Sequence, residues 1–105
     1  MPGVISTTRT DQETTISIRG RFNFEMYSQF RAAYHEDAKA KNVQRRYIVD
    51  LAGTEYIDSS ALGLLLMLRG ETEINGKTMV EIVNTRPDVL IVLKTANFHR
   101  LFKIT

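Results

Sequence analysis

The chain has 105 residues, 43% hydrophobic and 25% charged. These proportions suit one folded domain with one core and exclude a disordered segment. A formal net charge of +2, no basic cluster beyond Arg45-Arg46 and no cysteine exclude a polyanion-binding surface, disulfides and thiolate chemistry. The N-terminal stretch MPGVISTTRTDQE has no apolar signal-peptide core. The longest apolar runs, Ala61 to Leu68 and Val89 to Leu93, fall far short of the ~20 residues that span a bilayer. A cytoplasmic protein, a single domain over residues 1–105, is expected, with no nucleic-acid or membrane partner.

Val4 to Thr8 is β-prone, and Asp11-Gln12-Glu13 reads as a turn. From Thr14 to Arg21, Thr15, Ser17 and Arg19 alternate with Ile16, Ile18 and Gly20, the pattern of a half-buried strand paired with the first. Asn23 can cap a helix beginning near Glu25. Tyr27, Phe30, Ala33 and Tyr34 form its buried stripe, and Ser28, Gln29, Arg31, Glu36 and Lys39 face water. Arg46 to Leu51 is a β-branched run that predicts a central strand, followed by a loop at Gly53-Thr54-Glu55. A helix then runs to about Ile74, and Asn75-Gly76 signals a turn. Thr78 to Val83 reads as a strand. Pro87 and Asp88 suit the first turn of a last helix, which ends near Asn97. Leu101 to Ile104 could close the domain as an edge strand. The order β-β-α-β-α-β-α-β predicts an α/β (or α+β) fold: a small mixed sheet of four to five strands, with helices covering one face.

The stretch YIDSSALGLLLMLRG, Tyr56 to Gly70, is the most informative. With the helix starting at Ser59, Ala61, Leu64, Leu65, Leu68 and Thr72 cluster on the side that meets the sheet. Leu62, Gly63, Leu66, Met67 and Gly70 fall on the other side, with Ser59. A helix apolar all round in so short a chain leaves part of that side as an exposed apolar patch, a feature of partner surfaces. Ser59 stands at the helix mouth, where the dipole and free N–H groups favour an anion. A phosphate there adds about −1.5 to −2 charge beside the patch, which the helix tolerates and a docked partner does not. Asp-Ser-Ser before an apolar helix is equally an ordinary N-cap, and a residue can cap a helix and still be modified.

The residues also resemble a known family. ISIRGRFNFEMYSQFRAAY, YIVDLAGTEYIDSSALGLLLMLRG and VEIVNTRPDVLIVLKTANFHRLFKI are similar to successive segments of the STAS-domain anti-sigma factor antagonists, or anti-anti-sigma factors. Asp-Ser-Ser-x-Leu-Gly, Asp58 to Gly63, is the most specific element. The resemblance implies the STAS fold and regulation by partner switching. The unphosphorylated protein binds an anti-sigma factor that is also a serine kinase of the histidine-kinase-like ATPase fold, which frees the sigma factor or another downstream regulator. Phosphorylation breaks the complex, and a PP2C-type phosphatase restores it. By position the acceptor is Ser59. Asp58, Ser60, Leu62, Gly63, Leu66, Met67 and Asn23 are the implied kinase- and partner-recognition residues. Ala61 stands where many relatives have Gly, and Asn23 where they often have Asp. A monomer or weak dimer is expected. The alternative is a constitutive STAS subunit of a larger assembly, such as a lipid-transport complex or a signalling particle, with no phospho-switch.

No catalytic residue, metal or cofactor is expected. His35 and His99 have no neighbour at metal-ligand spacing. Ser59, His99 and Asp58 make a triad only on paper, since no nucleophile elbow is present and adjacent Asp58 and Ser59 cannot orient a base. Gly53, Gly63 and Gly70 make no phosphate-cradling loop.

Overall fold

Alternation along Glu13–Phe22 buries Thr14, Ile16, Ile18 and Phe22 and turns the residues between them outward. This ten-residue strand, β2, organises the sheet in the computed structural model, which describes residues 3–40 and 45–105. β1 (Val4–Arg9) pairs antiparallel with it, from Val4↔Arg19 to Arg9↔Thr14. On its other edge β3 (Arg46–Asp50) runs parallel, from Glu13↔Arg46 to Ser17↔Asp50. β5 (Val80–Val83) is parallel to β3, and β6 (Lys103–Ile104) to β5, giving the order β1-β2-β3-β5-β6.

One strand more is present than the sequence suggested. Thr54–Ile57, read as a loop and the run into the helix, forms β4, parallel to the far end of β2. Four residues after a glycine are too few to display alternation. What makes them a strand is the free edge of β2 beyond its last pair with β3.

All the buried strand positions lie on one face. Ile16, Val49 and Ile82 are Cα partners across three strands and are fully buried, and Thr14, Tyr47 and Val80 form the next row. On the opposite face Arg46 joins Glu13 (3.3 Å) and Glu81 (3.0 Å). The helices therefore cover one face. α3 (Ser59–Thr72) contributes Ala61, Leu64, Leu65, Leu68 and Thr72, the set the helical spacing predicts. α4 (Pro87–Thr95), with Pro87 in its first turn, contributes Val89 and Leu93. α3 stops at Thr72, two residues before the expected Ile74, because Glu73 is extended; Asn75 and Gly76 then turn with positive φ.

The single helix expected from Glu25 to Lys39 is divided. A 3-10 turn at Phe24–Met26 leads into α1 (Tyr27–Ala32), and α2 (His35–Lys39) follows. Tyr34, with φ −127, unwinds the chain between them. The buried stripe is consequently Met26, Phe30, Tyr34 and Ala38, with Tyr27 and Ala33 only half-buried. The kink seats Tyr34 edge-on against Phe30, with centroids 5.8 Å apart. Arg31, expected to face water, instead donates through Nε to Glu71 Oε1 at 3.1 Å and fastens α1 to α3.

α2 is tied to the sheet through Asp37. Arg9 forms a two-pronged pair with its carboxylate, and Thr14 Oγ1 donates to Oδ2 at 3.0 Å. Burial pushes the Asp37 pKa up, but the hydrogen bonds from Arg9 and Thr14 and the charges of Arg45 and Arg9 outweigh it and hold it below the usual carboxylate range.

Two predictions follow from this packing. Leu65→Ala, at a fully buried site on α3, should cost about 2–5 kcal/mol in urea unfolding, whereas Leu66→Ala on the outer side should cost no more than about 0.5 kcal/mol. Because the folded pKa of Asp37 is depressed, its stabilisation is full above the unfolded value of about 3.9 and is lost as pH falls through the lower folded value. Asp37→Asn should flatten that acid limb of the stability curve while also lowering stability at neutral pH.

Candidate functional site

Asp58 leaves β4 in an extended conformation and is the N-cap of α3. Its Oδ1 accepts the Ala61 N–H at 3.1 Å and the Ser60 hydroxyl at 2.6 Å. The Ser60 hydrogen bond, backed by the N–H groups of Ala61 and Ser60 and by the charge of Arg21, holds the Asp58 pKa below the usual carboxylate range against a smaller opposing effect of burial. Asp58 is thus a charged cap at neutral pH, placed where the helix dipole favours an anion. Ser59 is the first helical residue and is exposed; Ser60 is half-buried with its proton committed to Asp58. The two serines, equivalent by sequence chemistry, differ here in accessibility and in the freedom of their hydroxyls.

Asn23 stands beside this cap. The β2–β4 ladder ends at Phe22↔Ile57, and Asn23 and Asp58 are the next residue on each strand. Asn23 Oδ1 accepts the Glu25 N–H at 2.9 Å and starts the 3-10 turn. Asn23, Asp58, Ser59 and Ser60 therefore share one end of the molecule. Along the outer side of α3, Leu62 and Met67 are half-buried, Gly63 is exposed, and Leu66 is 44% exposed. Met67 lies about 12 Å along the helix axis from Ser59, at 1.5 Å per residue. The recognition residues expected from the sequence thus form a strip running away from the cap, not one tight cluster.

Three residues that the sequence reading passed over enlarge the surface. Phe24 is 61% exposed and stacks on Tyr27 at 5.3 Å between centroids. Tyr56 is 45% exposed, and the Arg21 guanidinium lies 4.7 Å from its ring centroid. An aromatic in a turn next to a capping Asn was the one available signal for Phe24. Nothing in the linear sequence joins Arg21 to Tyr56; parallel pairing makes them neighbours. Exposed rings beside a cation are typical of protein contact surfaces.

Other chemistry finds no geometry. The Asp58 carboxylate is turned to Ser60 and Ala61, not to His99, which is exposed beyond α4. His35 Nδ1 is 4.0 Å from Glu71. Among the described residues no group of three or more His, Cys, Asp or Glu is placed to hold a metal, and no helix is long and apolar enough to cross a membrane. A groove of about 540 Å3 lies between β1 and α1, lined by Ile5, Arg9, Gln29 and Ala33, on a different part of the surface from Ser59.

The cap yields a prediction. Asp58→Ala should cost about 1 kcal/mol in urea unfolding, and Asp58→Asn, which keeps an acceptor for the Ala61 N–H, distinctly less.

Comparison with known proteins agrees with this geometry. Residues 5–104 match the family described as "Mlab, STAS domain". A STAS-domain containing protein of Pseudomonas aeruginosa (strain UCBPP-PA14) is 44% identical over 94 residues, 90% of this chain and 89% of the relative. The anti-sigma factor antagonist SpoIIAA in its unphosphorylated form shares the fold with a TM-score of 0.76 at 19% identity, over 97% of this chain and 88% of that one. The phosphorylated form of this Bacillus cell fate determinant gives 0.72 at 17% identity, over 97% and 91%. A sulfate transporter family protein from Wolinella succinogenes gives 0.73 at 13% identity, over 92% and 79%. A family match across nearly the whole chain, a relative of similar length and a common sheet-and-helix arrangement agree: the chain belongs to the STAS-domain family.

Proposed function

We propose that this protein is an anti-sigma factor antagonist whose binding is switched off by phosphorylation of Ser59. In this reading the unmodified form docks an anti-sigma factor that is also a serine kinase, using the cap end of α3 and its outer strip. That docking releases a sigma factor or another regulator. The kinase phosphorylates Ser59, the complex separates, and a PP2C-type phosphatase resets it. The protein acts in the cytoplasm as a substrate, not a catalyst. The observation that supports this best is the contrast within the motif: Ser59 is exposed at the first position of α3, while Ser60 is bound to Asp58.

The physical consequence is asymmetric. A dianion at the first turn of a helix sits at the favourable end of the dipole, so the fold is not penalised. A partner seated on Leu62, Phe24 and Tyr56 would have to desolvate that dianion, which is costly unless it is paired.

A second reading has its own support, in the family description "Mlab, STAS domain" and in the transporter-protein neighbour. The chain would then be a constitutive subunit of a larger assembly such as a lipid-transport complex, its α3 strip permanently covered and Ser59 only the start of a helix.

Pull-downs with Ser59→Ala and Ser59→Asp as paired baits separate the two. Under the switch, Ser59→Asp should bind the kinase at least about tenfold more weakly than Ser59→Ala, a difference of about 1.4 kcal/mol, with melting temperatures within a few degrees of each other. Mass spectrometry after incubation with ATP and that kinase should place the phosphate on Ser59. Phosphate found only elsewhere would falsify the assignment. Transporter subunits recovered at fixed stoichiometry by both baits would establish the subunit reading instead.

A further inference from the structure

We propose that Arg21 is the internal counter-charge of a phosphate on Ser59: its guanidinium rests on the Tyr56 ring in the unmodified chain and turns from that ring to the phosphate when Ser59 is modified. The proposal builds on Ser59 as the acceptor and adds how the modification reshapes the surface around it.

Four observations lead to it. Arg21 and Tyr56 are Cα partners in the β2–β4 ladder, and the guanidinium is 4.7 Å from the ring centroid. Arg21 also acts on the Asp58 carboxylate, so its charge reaches the residue that directly precedes Ser59. Among the described residues six other arginines are engaged by oxygen, whereas Arg19 and Arg100, like Arg21, are not: Arg9, Arg31, Arg45 and Arg46 meet carboxylates, and Arg69 and Arg86 donate to backbone carbonyls. Arg21 has no such partner among the described residues and is left on an exposed aromatic face. Finally, Asp58 Oδ1 accepts from Ser60 and Ala61, and among the described residues Arg21 makes no hydrogen bond to the Asp58 carboxylate.

The chemistry of the two partners decides the outcome. An exposed cation–π contact is the weak form of that interaction. A phosphate offers three acceptor oxygens and close to two negative charges, and a guanidinium fits two of those oxygens at once. The planar fork matters here, because a lysine at position 21 would supply charge without the paired geometry. Phosphorylation then changes the surface twice. It adds a dianion at the mouth of α3, and it strips from Tyr56 the free cation that an acidic partner group could use.

The test needs no kinase. Phosphoserine is installed at position 59 during translation, in the otherwise wild-type chain and in Arg21→Gln, Arg21→Lys and Arg19→Gln chains. The phosphate is titrated by 31P NMR, and the Tyr56 ring protons are followed with and without it. Asp58 is present throughout, so its repulsion cancels in the comparison. Pairing predicts a second-ionisation midpoint about half a pH unit lower with Arg21 than with Gln at that position. Lys should fall between them, and Arg19→Gln should match the wild-type chain. The Tyr56 ring resonances should move on phosphorylation when Arg21 is present and stay put in Arg21→Gln. Equal midpoints for Arg21 and Gln, or a Tyr56 ring indifferent to the phosphate in the wild-type chain, would overturn the proposal. A kinase that ignores Ser59 would sink the switch while leaving this titration readable.

Discussion

β2 changes partner at Gly20, and the position of the whole site follows from that change. Residues Glu13 to Ser17 pair with β3, and Gly20 to Phe22 pair with β4. The register shifts between Gly20 and Arg21, and Gly20 takes a φ of +83, a conformation that a side chain would strain. Two hydrogen bonds close the junction: Gly20 N–H donates to Gly53 O at 2.9 Å, and the buried Thr54 hydroxyl donates to Ile18 O at 2.8 Å. A buried threonine would be costly without that acceptor. With the junction made, β4 runs beside the end of β2, Arg21 comes opposite Tyr56, and the caps Asn23 and Asp58 leave the sheet together. Shifting this register by one residue would turn Tyr56 inward and Ile57 outward, and the surface would be lost.

α3 shows how a helix without a strong polar side acquires an inside and an outside. Leu62, Leu64, Leu65, Leu66, Met67 and Leu68 include every direction around the axis. The sheet offers one apolar face, and the Asp58 cap fixes where the helix starts and hence its rotation. Ala61, Leu64, Leu65, Leu68 and Thr72 then fill the space over the rows of Ile16, Val49 and Ile82. Leu66 is left with nearly half its surface in water, between the exposed Gly63 and Gly70. Exposed leucines taken singly need no explanation. One flanked by glycines is a shallow apolar strip open at backbone level, the surface the proposed docking would use.

The parts of this architecture legible in the sequence are those that depend on local spacing. Alternation gave the buried face of β2, helical spacing gave the inner face of α3, and Asp58 before a leucine-rich run gave its start. What stayed hidden depends on residues far apart in the chain. β4 exists because β2 has an edge to offer, which four residues cannot announce. The break at Tyr34 reflects two aromatic rings and Asp37 seeking different places, Tyr34 against Phe30 in the core and Asp37 against Arg9 at the edge. Regular helical spacing in that segment could not foretell it. The contact of Arg21 with Tyr56 spans two strands whose pairing no local pattern announces. Ser59 and Ser60 are alike in their chemistry and are told apart in the sequence only by position in the family motif; the physical difference between them lies in the direction of the Ser60 hydroxyl.

That last distinction shows how one motif can hold a helix and still leave a serine hydroxyl exposed, as the proposed phosphorylation requires. Had a serine been the N-cap, its oxygen would face the first-turn N–H groups, and placing a phosphate on it would disturb the bond that begins the helix. Asp58 takes the capping task instead, and its depressed pKa keeps it charged through the neutral range. Ser60 braces the same carboxylate oxygen from within the first turn. Among the described residues the Ser59 hydroxyl has no hydrogen-bond partner, and the side chain is exposed. Chemistry at Ser59 can therefore alter what the surface presents without withdrawing a hydrogen bond from the fold. The order Asp-Ser-Ser matters more than its composition, because only the middle residue is spared both capping and bracing.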